Sequence, residues 1–315
     1  MNQLNEIKVS VCVVVYNQEK YLAECLKSLV TQQTNFNFEI IVSDDCSTDT
    51  SRKIITEYSE KYPYLIRPIF NEHNLGPHEN LKSTYQLAQG IYIAHMDGDD
   101  YAFPDKLQKQ YDILESNIDC QICSHSSELV DCTSQSKGNW LYPQKKYELF
   151  DLYAQLPFFA HSSKMFRNDL NEVYWDNLHE KFLDIELHIE QALKGKIYHL
   201  NEILGAYRVD VGISRIGKSI NPILPLGVIR AFDKGLTIYS ETAQIDKFRK
   251  IYAKELLNYA RKFLYTGSDY AVFCLLIKKS INIKIFSSRQ FLLLLLTVLP
   301  KSIYSQMKSD KRLDI

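Results

Sequence analysis

The chain has 315 residues, 45% of them hydrophobic and 12% aromatic, with a formal net charge of −1. That composition suits one large or two smaller globular domains and excludes a disordered polar chain. The charge is unevenly spread: from Lys247 onward about 14 Lys and Arg accompany about 4 Asp and Glu, against about 23 and 34 before it, so the two parts suit different partners.

In chain order, "VSVCVVV" (9–15) is a β-branched apolar run of strand length. "YLAECLKSLVTQ" (21–32) has helical spacing at Leu22, Cys25, Leu26 and Leu29. "FEIIVS" (38–43) reads as a second strand and "TSRKIITEYSEKY" (50–62) as a second helix. "LIRPIF" (65–70) is a third strand, placed at a sheet edge because Pro68 has no N–H for a ladder. "HENLKSTYQLAQG" (78–90) is a third helix, with Gly90 at a C-cap position. "IYIAHM" (91–96) is the fourth strand, and Pro104 opens the helix "PDKLQKQYDILES" (104–116). This alternation predicts an α/β fold, a Rossmann-like and mainly parallel sheet flanked by helices.

Ligands of such sheets bind beyond the carboxyl ends of the strands. The segments found there are Tyr16-Asn17-Gln18-Glu19, "DDCSTD" (44–49), "NEHNLG" (71–76) and "DGDD" (97–100). Helix capping accounts for one aspartate in each acidic loop. It does not account for adjacent pairs, whose like charges repel unless a cation or a donor sits between them. Paired aspartates suit a hard divalent cation such as Mg2+ or Mn2+, which takes one or two carboxylates plus the phosphates of a substrate. Asp97 and Asp99 are therefore the expected metal ligands, carrying a nucleotide diphosphate.

The segments "VSVCVVVYNQEKYLAECLKSLVTQ", "FEIIVSDDCSTDTS", "NLG", "AQGIYI" and "MDGDD…PDKL" together resemble the family 2 glycosyltransferases of the GT-A fold. The match runs in order through about the first 125 residues and more weakly to about Ser214. The resemblance implies an inverting transferase using a nucleotide-diphosphate sugar and a divalent metal. It places Val14, Val15 and Tyr16 at the nucleobase and ribose, with Tyr16 able to stack on the base. It places Glu19 near the nucleotide and Asp45 at the uracil ring N–H. Asp97-Gly98-Asp99 becomes the D-x-D, with Asp99 the direct ligand and Gly98 leaving room for the sugar diphosphate. Asp184 becomes the catalytic base, although Leu183 stands where the family has a first acid. His161 and Arg208 fall on the acceptor side, and Asp210 replaces a histidine common in the family.

Cys120 and Cys123 form a C-x-x-C inside an apparent strand, which sends them to opposite faces and argues against zinc. The expected domains are 1–222, with a nucleotide-sugar half (1–125) and an acceptor half (126–222), and a helical extension, 223–315. In the extension two amphipathic helices flank Gly267, and the apolar run Phe291–Leu299 is too short to span a bilayer. That run reads either as a core helix or as an interfacial segment whose basic flanks meet an anionic membrane surface.

No apolar leader is visible at the start of the chain, and seven scattered cysteines fit a reducing cytoplasm. The expected protein is thus cytoplasmic or peripheral on the inner face of the cell membrane. It acts on a glycan or lipid-linked acceptor, in synthesis of a surface polysaccharide. It is not a nucleic-acid binder, since no such motif accompanies the basic tail. Two other readings stay open. One is a catalytically silent sugar-nucleotide or glycan-binding protein of the same fold. The other is a nucleotidyltransferase, for which "YNQEKY" lacks the expected basic Gly-rich loop.

Overall fold

The computed structural model describes residues 6–156, 158–170, 172–209, 211, 215–216, 219–266 and 269–298. Asp210 and Gly267 lie outside the described residues. The chain divides into two compact units between Val209 and Asp210, earlier than the expected 222/223 division because residues from 210 onward cluster with the helices that follow.

The first unit begins β1 (Ile7–Val15), α1 (Leu22–Val30), β2 (Asn37–Asp44), α2 (Ser51–Lys61), β3 (Ile66–Phe70), α3 (Pro77–Gln86) and β4 (Tyr92–Asp97). It continues β5 (Tyr101–Ala102), α4 (Lys106–Ser116), β6 (Cys120–Val130), β7 (Ser136–Trp140), β8 (Lys145–Tyr147) and α5 (Leu149–Ala154). After a 3-10 turn at His161–Ser163 come β9 (Met165–Arg167), α6 (Glu172–Asp176), α7 (Asp184–Ala192) and β10 (Lys196–Arg208).

The main path of the sheet runs β3-β2-β1-β4-β9-β6-β10-β5. Its first four strands are parallel. This half is the expected Rossmann-like part, and Pro68 does lie on the edge strand. The whole sheet is mixed, because β9 enters antiparallel between β4 and β6. Leu22, Cys25, Leu26 and Leu29 of α1 are buried as their spacing predicts. They join Val9, Val11, Val13, Val15, Ile40 and Val42 in the core of this unit.

Gly90 is not a helix cap: α3 stops at Gln86 with Leu87 as its C-cap. Gly90 instead lies flat against β1, where an added Cβ would stand 2.5 Å from Ser10 N and 2.7 Å from Val9 C. Its own N–H donates to Ser10 Oγ at 2.8 Å. Glycine is required there by close approach of two backbones.

The second unit contains β11 (Arg215–Ile216), β12 (Ser219–Ile220), α8 (Ile223–Tyr239), α9 (Ile245–Thr266), α10 (Tyr270–Ile283) and α11 (Ser288–Leu296). Phe232 of α8 stacks on Tyr252 of α9 at 4.8 Å, and Ser280 of α10 donates to Ala253 O at 2.7 Å. No helix among the described residues is long and apolar enough to cross a membrane.

Candidate functional site

The register of β1 builds the site. Val14 pairs with Ser43 on one side and Asp97 on the other, which is the point where strand order reverses and a crevice opens. Gly98 N–H donates to Val14 O at 3.1 Å, and Asp45 N–H to Val15 O at 2.9 Å. The ends of three strands are thus fixed to one another through backbone. The sheet brings Val14, Val15, Asp45, Asp97, Gly98 and Asp99 together, and half-exposed Tyr16 follows directly from β1.

The loops after β1 and β2 are laced together. Asn17 N–H donates to Ser47 Oγ at 2.9 Å, while Asn17 Oδ1 accepts from Thr48 N at 2.8 Å. Glu19 accepts from Thr50 N at 3.0 Å and Thr50 Oγ1 at 2.7 Å, and these bonds hold its carboxyl below the usual range. Asp45 is 2% exposed. Its carboxylate accepts from Asn71 Nδ2 at 3.1 Å, Leu75 N at 2.7 Å and Gly76 N at 2.9 Å, which pins the loop after β3. A carboxylate has about four acceptor positions, and three of those of Asp45 are filled by these donors.

The D-x-D carries the strongest electrostatic tension. Asp97 Oδ1 meets His95 Nε2 at 3.1 Å, and Asp97 Oδ2 accepts from Ser162 Oγ at 3.1 Å. Burial opposes ionisation of Asp97, but His95, Ser162 and the Lys164 charge outweigh it and hold its carboxyl low. Asp99 is pushed up to about 7, by burial first and then by the charge of Asp97. Asp100 is raised well above the ordinary range, by burial and then by Asp99 and Asp97. Buried Lys106 is lowered to about 8 by desolvation, against the pull of Asp100.

These residues fit a hard divalent cation. The Asp99 carboxylate takes no hydrogen bond from another side chain among the described residues, and a dication would offset both the burial and the Asp97 repulsion that raise it. Beside Gly98 lies Gln18, whose Oε1 is buried without a hydrogen-bond partner. Among the described residues no three His, Cys, Asp or Glu side chains converge as a metal cage. Two carboxylates, as in the D-x-D, would leave the remaining positions of such a cation to water and substrate oxygens. Cys120 and Cys123 are both buried free thiols in β6.

Asp184 opens α7 and follows the N-cap residue Leu183. Asp184 is exposed at the surface, while the protein packed around its carboxyl still desolvates it. Burial raises its carboxyl, opposed by the Ile185 N–H and the Lys164 charge. A helix start favours the ionised form, and here desolvation outweighs that dipole. Glu186 is committed elsewhere: it accepts from Leu183 N at 2.8 Å. Burial first, and then the charges of Asp100, Asp97, Asp184 and Asp99, raise the Tyr207 hydroxyl.

Arg208, expected on the acceptor side, is instead 2% exposed. Its guanidinium donates to Asp99 O at 2.9 Å, Asp131 O at 2.6 Å and Glu24 Oε2 at 2.8 Å, and lies 4.3 Å from the centre of the Tyr21 ring. Its backbone N–H donates to Asp100 Oδ1 at 2.8 Å. It is a clamp on the Asp99–Asp100 turn. His161 is packed 3.9 Å from the His95 ring and its Nδ1 meets His188 Nε2 at 3.0 Å. Ser162, His95 and Arg208 in its clamp role have no sequence signal beyond lying near acidic or strand positions.

Residues 10–175 match the model of the family described as Glycosyl transferase family 2. An uncharacterized protein of Mycobacterium tuberculosis is 33% identical over 205 residues, covering 64% of this chain and 58% of the relative. The poly(ribitol-phosphate) beta-glucosyltransferase of Bacillus spizizenii is 27% identical over 206 residues, covering 65% of this chain and 31% of that protein. The aligned part is thus little more than half of the first relative's length and under a third of the second's. Among solved structures, S. aureus TarS 1-349 in complex with UDP superposes with a TM-score of 0.65 at 19% identity, covering 96% of this chain and 90% of that one. The mannosyltransferase PcManGT from Pyrobaculum calidifontis, in complex with GDP-Man and Mn2+, gives 0.55 at 14%, covering 96% and 84%. These two likenesses are of fold. Since the family model spans more than half of its length, the chain belongs to glycosyl transferase family 2.

Proposed function

We propose that the protein is an inverting glycosyltransferase. It moves a sugar from a nucleotide diphosphate to a hydroxyl of a glycan or lipid-linked acceptor in surface-polysaccharide synthesis. The observation that carries this is the strand-end crevice: Val14 of β1 stands between Ser43 of β2 and Asp97 of β4, which gathers the nucleotide-side residues and the D-x-D aspartates in a chain of glycosyl transferase family 2. Val14, Val15, Tyr16, Glu19 and Asp45 would hold the nucleoside. The similarity to a structure bound to UDP and the family match of Asp45 to the uracil ring N–H favour uridine. Asp97 and Asp99 would hold Mn2+ or Mg2+, which supplies charge neutralisation for the departing diphosphate.

Inverting transfer is a single displacement. The acceptor oxygen forms a bond to the anomeric carbon as the bond to the diphosphate oxygen breaks, and the electron pair leaves with the diphosphate. Asp184 takes the acceptor proton, a role contributing typically about 10²–10⁴-fold. Because burial raises its carboxyl, Asp184 ionises above the ordinary aspartate range. A base works only when ionised, so the acid limb of kcat/KM should be displaced upward and activity should fall as pH drops through it. Asp184→Asn should lower kcat by about 10²–10⁴-fold and abolish that limb. Affinity for nucleoside diphosphate with Mn2+ should be unchanged. Near-normal turnover in this variant would rule out the base assignment.

Leu183, standing at the position of an acid in the family, favours a second reading: a silent sugar-nucleotide-binding protein. Nucleotide-sugar binding without release of nucleoside diphosphate, with any acceptor, would support it. We place the protein at the cytoplasmic face of the cell membrane, where lipid-linked acceptors are presented.

A further inference from the structure

The run of five leucines in α11 is held by few of its residues. Gln290 is fully buried. It donates through Nε2 to Ser280 Oγ and to Lys284 O, both at 2.9 Å, and accepts from Phe286 N at 2.8 Å through Oε1. Leu293, one turn on, is 2% exposed. These two anchors turn the opposite side of the helix outward. Phe291 is 47% exposed, Leu292 41%, Leu295 62% and Val298, just past the helix end, 77%. Leu275 on α10 and Ile285 between the two helices are exposed as well, at 44% and 56%. Leaving apolar surface in water costs roughly 25 cal/mol per Å², so exposed apolar side chains recurring on one side of a helix point to an interaction surface.

Charge identifies the occupant. Between Asp269 and Asp310 the sequence contains no acidic residue and six basic ones, Lys278, Lys279, Lys284, Arg289, Lys301 and Lys308. Lys279 pairs with Asp233 and Lys284 with Asp246. Lys278 and Arg289 are exposed and form no ion pair with a described residue. A second copy of the chain would bring the same cations face to face, which opposes self-association through this surface. An anionic surface complements them. At 1.5 Å per residue a nine-residue helix reaches about 13 Å, far short of the roughly 30 Å hydrocarbon core.

We propose that the outward face of α11 docks on an anionic lipid bilayer. Phe291, Leu292, Leu295 and Val298 enter the boundary between headgroups and acyl chains, and Lys278 and Arg289 meet the headgroups. The helix lies in the plane of the interface. This rests on the membrane placement proposed above and is independent of the role of Asp184.

The test uses the full chain and sedimentation with phosphatidylcholine vesicles, with and without phosphatidylserine. Wild type should bind the anionic vesicles, more weakly at high salt. Leu292→Ser with Leu295→Ser should weaken binding by about tenfold or more. Lys278→Gln with Arg289→Gln should remove the preference for phosphatidylserine. Both variants should keep the wild-type Tm and the same rate of donor hydrolysis. Four results would overturn the proposal. They are no binding by wild type, equal binding by the leucine variant, a wild-type dimer that the leucine variant dissociates, or a marked loss of Tm in that variant, which would mean residues 299–315 cover the face. Failure of the transferase reading would look different: vesicle binding intact, but no turnover of any nucleotide sugar.

Discussion

At the scale of single residues, the site is a contest between burial and charge that each carboxylate settles differently. Asp97 is held ionised by His95 and Ser162, and burial together with the charge Asp97 carries pushes Asp99 up to about 7. One aspartate is held as an anion, and a cation bound at the other would keep it ionised at neutral pH. Ser162 matters doubly, since its Oγ also accepts from Asp97 N at 3.0 Å. Ser162→Ala should leave the Asp97 carboxylate held by His95 alone and should weaken Mn2+ binding by about 10–100-fold, the usual cost of losing an outer-shell partner. Titration followed by electron paramagnetic resonance of free Mn2+ reads this without turnover, and unchanged affinity would remove Ser162 from the site. The paired aspartates were legible because like charges rarely adjoin without a reason. Ser162 was not, because it stands 65 residues from Asp97 in a loop with no periodicity. Arg208 misled for a different cause: the guanidinium's donors serve backbone carbonyls as well as they serve a ligand.

At the scale of elements, the alternation of strands and helices through residue 116 was readable, since each carries a clear period of two or 3.6 or a plain apolar run. The observed helices are trimmed at their ends: α1 spans Leu22–Val30 within the expected 21–32, and α4 starts at Lys106, two residues after Pro104. The later strands were harder to read. β9 has only three residues, and the mixed sheet depends on where that short piece inserts. Gly90 shows how a right residue can have a wrong explanation. Helix capping would demand a positive φ, whereas the structure demands space against β1. Gly90→Ala should therefore destabilise the protein by about 1–3 kcal/mol through overpacking, read as a lower urea midpoint. A capping role would make the cost smaller and would spare β1, so an unchanged midpoint would contradict the close approach. Because β1 also carries Val14 and Val15, a shift there should weaken nucleotide binding too.

At the scale of the whole molecule, the acidic front and basic tail of the sequence correspond to two units with different surfaces. The first gathers carboxylates at strand ends, and the second presents an apolar face on α11 within a stretch free of acids. Composition alone showed this division of charge. It could not show which of the five leucines face outward, because a run that is apolar on every side has no periodicity to read. The central claim, that strand-end aspartates and Asp184 together transfer a sugar, is tested most directly by nucleoside diphosphate release. The assay takes a panel of nucleotide sugars, with Mn2+, with EDTA, and with Asp99→Asn. The account predicts turnover of at least one donor, abolished by EDTA, restored by Mn2+, and nearly abolished in Asp99→Asn while circular dichroism shows the fold retained. Turnover that persists in EDTA, or in Asp99→Asn at the wild-type rate, would contradict it.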